Sequence, residues 1–199
     1  MKYSIYNVYH ELLITDNASL SGDKDIFFYE PFDWNKIISL FHEKSLVLIS
    51  KNPDETFNEF QSHYEQIEAA GGLIVNPQQQ WLMIYRLGRW DLPKGKIDEG
   101  ESPLQTAVRE IKEECNVNLN PDDCKFFEHT YHVYTLKNRT ILKKTHWYLC
   151  RYNEANTILI PQTEEGIEKV EWVSREQWNE RKQNSYPSIV QVVEKYGSL

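Results

Sequence analysis

Gly95–Val117 reads GKIDEGESPLQTAVREIKEECNV, and the rest of the chain is understood from it. Its first third is rich in glycine and charge, the composition of a loop. Ser102-Pro103-Leu104-Gln105 then supplies a helix cap, a proline at the first helical position and a glutamine placed to reach back to the cap. Each helical residue advances by about 100°. Leu104, Val108, Ile111 and Cys115 therefore share one face, while Glu110, Glu113 and Glu114 fall together on another. Asn116 tolerates the left-handed conformation in which helices stop.

Three carboxylates at i, i+3 and i+4 repel one another by about a few tenths of a kcal/mol per pair. Taken alone, Arg-Glu-x-x-Glu-Glu describes a solvated helix face more often than a site. Clustered hard oxygen donors on a rigid element are also what Mg²⁺ or Mn²⁺ requires. An ion pair between Arg109 and Glu101 would tie the glycine-rich loop to the helix and hold those donors in line.

Gly95, five residues, Glu101, seven residues, then Arg109-Glu110-Ile111-x-Glu113-Glu114-x-x-Val117 resembles the signature of the Nudix hydrolases. Asn116 stands where the family has glycine, a mild departure because asparagine is the next-best residue at a left-handed position. The resemblance covers about residues 68–185. It implies an α/β (α+β) fold, an α/β/α sandwich around a mixed β-sheet, as a Nudix domain over 68–199; residues 1–67 lie outside the resemblance and their own pattern reads as a small α/β unit. It implies hydrolysis of the pyrophosphate bond in a nucleoside diphosphate linked to another moiety, such as ADP-ribose or a dinucleoside polyphosphate, with water attacking phosphorus.

On the same resemblance, Glu113 and Glu114 are the principal metal ligands and Glu110 the third, Mg²⁺ (or Mn²⁺) being the cofactor. Arg109 and Glu101 are the orienting pair, and Gly95 shapes the loop. The general base is expected from a late loop, where Glu164 and Glu165 stand, or from the signature itself. A homodimer is a candidate assembly. The alternative reading is a nucleotide- or ADP-ribose-binding regulatory module on the same fold. It is the weaker one because every signature carboxylate is present.

Beyond the signature, Lys94, Lys96 and Arg86 are candidates to contact phosphate. Arg89, Lys143 and Lys144 are weaker ones. Trp81, Trp90, Trp147 and Tyr85 would suit base stacking, although core packing is their default role. His129 and His132 are three apart on an expected strand, so they point to opposite faces and do not form a paired metal site.

The chain has 199 residues, 40% of them hydrophobic, enough to build a core and to exclude a disordered chain. Its net charge of −8 argues against general binding to nucleic acid or an anionic membrane, so the expected partner is a small nucleotide-like molecule recruited by metal ions. Three cysteines without a Cys-x-x-Cys pattern suggest ordinary thiols in a reducing cytoplasm. Neither a signal peptide nor an apolar run of membrane-spanning length is evident.

Ahead of the signature, residues 3–14 and Asp25–Tyr29 are expected as strands, and Asp33–His42 as a helix. Leu46–Ile49 is expected as a buried strand. A second helix from Asn52 carries the stripe Phe57, Phe60, Tyr64 and Ile67. Ala69–Gly72 is expected to mark the break between the two parts. Leu73–Asn76 with Trp81–Arg86, and Lys125–Leu136 with Ile141–Tyr152, suggest hairpins. A strand at Val170–Val173 and helices from Ser174 and Ser188 complete the pattern.

Overall fold

The computed structural model describes residues 2–17, 19, 26–153 and 158–197. The apolar alternation over residues 3–14 is broken by a turn rather than forming one strand. β1 (Lys2–Tyr6) and β2 (Glu11–Thr15) pair antiparallel, Lys2 opposite Thr15 and Tyr6 opposite Glu11. Asn7 makes the reversal: its side-chain oxygen accepts from the backbone N–H of Tyr9 at 2.8 Å and of His10 at 2.7 Å. β3 (Ile26–Tyr29) and β2 both lie parallel to β4 (Leu46–Ile49). Asp25 lies outside the described residues.

Two helices cover this layer. α1 (Trp34–Phe41) is capped by Asp33, and α2 (Pro53–Gln61) by Asn52 with Pro53 in its first turn. α2 ends at Gln61, so Ile67 belongs to the following strand and not to the helical stripe. Ile5, Leu12, Ile14, Ile37, Phe41, Leu48 and Phe60 form the core here. Residues 1–67 make one unit with residues 131–144, and residues 68–130 with 145–199 make the other.

In the second unit, β5 (Glu65–Val75) passes through Ala69–Gly72 without a break. The small residues there serve close approach. A Cβ on Gly71 would sit 2.3 Å from the Pro93 carbonyl oxygen, and one on Gly72 would sit 2.7 Å from Ile111 Cδ1. β6 (Trp81–Arg86) returns antiparallel to β5. The expected loop from Leu87 to Glu101 contains two short strands. β7 (Arg89–Asp91) pairs with β6, and β8 (Lys94–Lys96) pairs with β5, Gly95 opposite Ala70.

α3 (Pro103–Cys115) has the full capping box: Ser102 accepts from the Gln105 backbone and Gln105 reaches back to Ser102. β9 (Cys124–Leu136) and β10 (Arg139–Arg151) are neighbours, with Lys137 and Asn138 at positive φ between them. β11 (Ile167–Val173) lies antiparallel to β6. α4 (Arg175–Arg181) and α5 (Pro187–Gly197) follow.

The strand order in this unit is β11-β6-β5-β10-β9. One face of the sheet packs Leu73, Trp81, Trp147 and Val173 against Trp178 of α4 and Ile189 and Val192 of α5. The other face packs Ile74, Leu82, Ile84 and Cys150 against Ile111 and Cys115 of α3. The sheet is thus covered by helices on both sides, an α/β/α arrangement. Trp81, Trp90 and Trp147 are all buried in the first of these layers, which makes them core rather than stacking platforms.

Cys124 and Cys150 form a disulfide, contrary to the expectation of three free thiols; Cys115 is free and buried. An odd count leaves one thiol over, but two cysteines on neighbouring strands can still meet, here with Cα atoms 4.1 Å apart. Among the described residues no helix is long and apolar enough to cross a membrane.

Asn116 caps α3 at φ 58° and ψ 34°, with its side-chain amide donating to the Ile158 carbonyl at 2.9 Å. Asn116→Ala should cost about 1–2 kcal/mol in urea denaturation, because alanine pays the left-handed penalty. Asn116→Gly should cost less, since it loses only the hydrogen bond.

Candidate active site

The capping box and the left-handed stop set the ends of α3, its apolar face turns Ile111 and Cys115 to the sheet, and its carboxylates come to rest beside β8. Glu114 is fully buried. Its Oε2 accepts from the Lys94 backbone N–H at 2.8 Å. Its Oε1 has no hydrogen-bond partner, and Arg86 Nη1 stands off at 3.8 Å. Glu110 is also buried, and its carboxylate occupies the space above Gly95, where a Cβ would fall 2.0 Å from Glu110 Cδ. That contact is the structural reason for glycine at this position. Glu113 points outward, its side chain about half exposed.

Arg109 gathers the remaining acids. Its Nε and Nη2 donate to the two oxygens of Glu101 at 2.8 and 2.9 Å, and Thr106 donates to the same carboxylate at 2.7 Å. Nη1 donates to Glu110 at 2.6 Å and to Glu113 at 3.1 Å, and Nη2 reaches the Lys96 carbonyl at 3.3 Å. One guanidinium therefore joins loop, strand and helix. It relieves the repulsion between Glu110 and Glu113 that the sequence pattern creates.

The other expected residues divide. Lys94 is largely buried, with its ammonium 2.5 Å from Asp91 Oδ2, so it is an internal counter-charge rather than an exposed phosphate ligand. Burial works against that ammonium, but Asp91 and Glu114 outweigh it and raise the Lys94 pKa. Lys96 has an exposed side chain and enters the site through its backbone. Arg86 bridges to the late loop, with Nη2 3.3 Å from Glu165 Oε2. Glu164 is exposed in the same 3-10 turn, Thr163–Glu165. Arg89 lies over the Tyr186 ring, and Lys143 over Tyr134. Lys144 belongs to the other unit.

Asp91 was not anticipated from the sequence. The signal available was its place three residues before Lys94, but only the chain reversal between β7 and β8 turns that spacing into a contact. The late loop is tied to the end of α3 by backbone bonds, from Ile160 N–H to the Cys115 carbonyl and from Gln162 N–H to the Glu114 carbonyl, both at 3.3 Å. These bonds satisfy carbonyls that a helix C-terminus leaves open. Among the described residues, no three His, Cys, Asp or Glu side chains converge closely enough to enclose a metal as they stand. The donor chemistry nevertheless suits a hard cation: all carboxylate oxygens, one of them buried and unpartnered.

Residues 65–193 match the NUDIX domain model, and the chain belongs to the Nudix family. It is 34% identical over 119 residues to an RNA pyrophosphohydrolase of Psychrobacter, covering 52% of this chain and 68% of that one. It is 26% identical over 131 residues to the mRNA decapping complex subunit 2 of Schizosaccharomyces pombe. That match covers 62% of this chain and spans only 16% of the yeast protein. In fold it resembles the MutT protein of Methanosarcina mazei, with a TM-score of 0.50 and 17% identity over 68% of this chain and 95% of that one.

The carboxylates titrate in opposite directions. Hydrogen bonds from Arg109 and Thr106 hold Glu101 down at about 2, so its stabilisation is present above the ordinary 4.5 and is lost as pH falls toward 2. Burial pushes Glu114 up to about 7, against the pull of Lys94. Between 4.5 and about 7 the folded protein holds a proton that the unfolded chain has released, so stability falls as pH rises through that window. In divalent-free buffer, thermal unfolding temperature should decline from pH 5 to pH 8, and Glu114→Gln should flatten that decline.

Proposed function

We propose that this protein is a divalent-cation-dependent pyrophosphohydrolase. It would cleave the pyrophosphate bond of a nucleoside diphosphate linked to another moiety, with water attacking phosphorus. The observation that carries this reading is Glu114: a carboxylate wholly buried, hydrogen-bonded through one oxygen only, and left with the other facing the Arg86 guanidinium at 3.8 Å without a hydrogen bond. A purely structural acid in that position would be expected to have its hydrogen bonds completed.

Glu114, Glu110 and Glu113 are the residues that would hold Mg²⁺ or Mn²⁺. When bound, the cation would neutralise phosphate charge and make water more acidic. The chain's own groups do the rest. Arg109 orients Glu110 and Glu113 while anchoring the loop through Glu101. The Lys94 N–H fixes one Glu114 oxygen, so the other keeps a constant direction. Arg86 holds Glu165 on the side of Glu114, within reach of a role as proton acceptor from the attacking water. Gly95 leaves the volume in which the Glu110 carboxylate sits.

Substrate breadth is a separate matter from bond type. The relatives' names bring the 5′ end of RNA into consideration, while the net charge of −8 favours a short substrate over a long polyanion tracked along the surface. The test is a panel of ADP-ribose, dinucleoside polyphosphates, nucleoside triphosphates and 5′-triphosphorylated RNA, each with Mg²⁺ or Mn²⁺. Release of phosphate, pyrophosphate or nucleoside monophosphate is the readout. Turnover on at least one is expected; binding without turnover on any would overturn the enzyme reading in favour of a regulatory module.

Glu114→Gln should abolish that turnover while the circular dichroism spectrum stays unchanged. Gly95→Ala should do something different. The atom in the way is the movable end of Glu110, so the stability loss should be about 1 kcal/mol. The displaced carboxylate should lower kcat roughly 10²-fold. Wild-type kcat in either variant would show that these acids do not serve the reaction.

A further inference from the structure

The carboxylate cluster and its counter-charges address phosphate and cation, and none of them is apolar. The tryptophans that would suit stacking are buried in the core. Among the described residues the large apolar side chains left exposed are Tyr9, Leu87, Phe126, Leu136, Ile158 and Ile160. Leu87 alone of these adjoins a site residue in the chain, Arg86, and it is 74% exposed.

Leu87 and Gly88 are the two central residues of the hairpin that joins β6 to β7, with Arg86 opposite Arg89. Both have positive φ, 51° and 78°, as in a type I′ turn. That turn favours asparagine, aspartate or glycine at its first central position, because a larger side chain in the left-handed region crowds the following carbonyl. Of the non-glycine residues at positive φ among the described residues, Leu87 is the only apolar one. Its backbone is strained and its side chain stands in water, so neither local conformation nor core burial explains a leucine here.

The turn is held from two sides. Asn184 Nδ2 donates to the Gly88 carbonyl at 2.9 Å, and Arg86 Nη2 lies 3.3 Å from Glu165 Oε2. Leu87 Cδ2 lies 3.7 Å from where a Cβ on Gly166 would stand, so the side chain rests against the end of the turn that carries Glu165. An apolar group fixed in this way loses little freedom when a ligand covers it. We infer that Leu87 is a specificity-determining residue, which contacts the nucleoside of a nucleoside diphosphate whose phosphates are held at the carboxylate cluster. This rests on the proposed hydrolase site for the place of the phosphates, not for their cleavage. A flat base laid over Leu87 removes apolar surface of both from water while its polar edge stays solvated.

The test is calorimetric titration of the full chain in Mg²⁺ with two ligands that share an uncleavable P–C–P group. One is α,β-methylene-ADP, which carries a nucleoside; the other is methylenebisphosphonate, which does not. The wild type should bind the first more tightly. Leu87→Asn should weaken α,β-methylene-ADP roughly tenfold, the loss expected for one apolar contact, and leave methylenebisphosphonate as it is. The same variant should raise the urea midpoint, because asparagine suits the left-handed position. A more stable fold with weaker nucleotide binding is a combination that a merely structural leucine does not produce. Equal wild-type affinity for the two ligands, an unaltered nucleotide affinity in Leu87→Asn, equal losses for both ligands, or a lowered urea midpoint would each overturn the proposal. Neither ligand is hydrolysed, so an absence of turnover on every substrate counts against the hydrolase reading alone.

Discussion

Two acidic side chains pressed against the backbone of Lys94 and Gly95 are the constraint around which the second unit is arranged. Glu110 fits only because Gly95 has no side chain, and Glu114 is held only because the Lys94 N–H points at it. Both contacts require α3 to lie close over β8 and β5. That approach in turn requires Gly72 beneath Ile111 and Gly71 beneath the Pro93 carbonyl. A helix standing even 1–2 Å further off would leave its acids in solvent, where their spacing would be unremarkable. The apolar face of α3 supplies the driving force through Ile111 and Cys115, and the late loop then closes over the carbonyls at its end.

The charge pattern on α3 is tolerable because its costs fall on different groups. Arg109 serves Glu101, Glu110 and Glu113 at once, the kind of fork geometry a lysine could not supply. Glu114 has only Arg86 at 3.8 Å and the Lys94 N–H, and burial lifts its pKa to about 7 despite them. Across the helix, the acid that is best neutralised is furthest from the buried end, and the acid most in need of a cation is deepest. A fold selected for stability alone would have placed a neutral residue at that depth.

What the sequence revealed and what it concealed follow from range. Ser102, Pro103, Gln105 and Asn116 act on backbone groups within a few residues, so the helix and both its ends were readable, as was the Arg109–Glu101 pair eight residues apart. Contacts between distant segments were not. Gly71 and Gly72 look like a break to any local reading and turn out to be an uninterrupted strand, because what they make room for lies more than twenty residues on. Cys124 and Cys150 look like surplus thiols until β9 and β10 are neighbours. His146 acquires its partner His129 only after the reversal between β9 and β10 brings them together. Trp81 and Trp147 took their default role, since an aromatic suited to stacking is equally suited to a core, and burial decided for the core.

Net charge gains a sharper meaning at the site itself. Asp91, Glu101, Glu110, Glu113, Glu114 and Glu165 stand together with Lys94, Arg86 and Arg109, six acids with three fixed cations. All three cations are already engaged with those acids, so none is left to greet a phosphate. A pyrophosphate approaching this surface meets excess negative charge unless divalent ions arrive first or with it. On the proposed hydrolase reading, the same excess would repel a polyanion that has nothing to chelate and would favour molecules whose phosphates share an ion with the protein. The acidity that argues against nucleic-acid binding in general is therefore consistent with action on a phosphate chain in particular, provided the reacting end, and not the length of the polymer, is what the site holds.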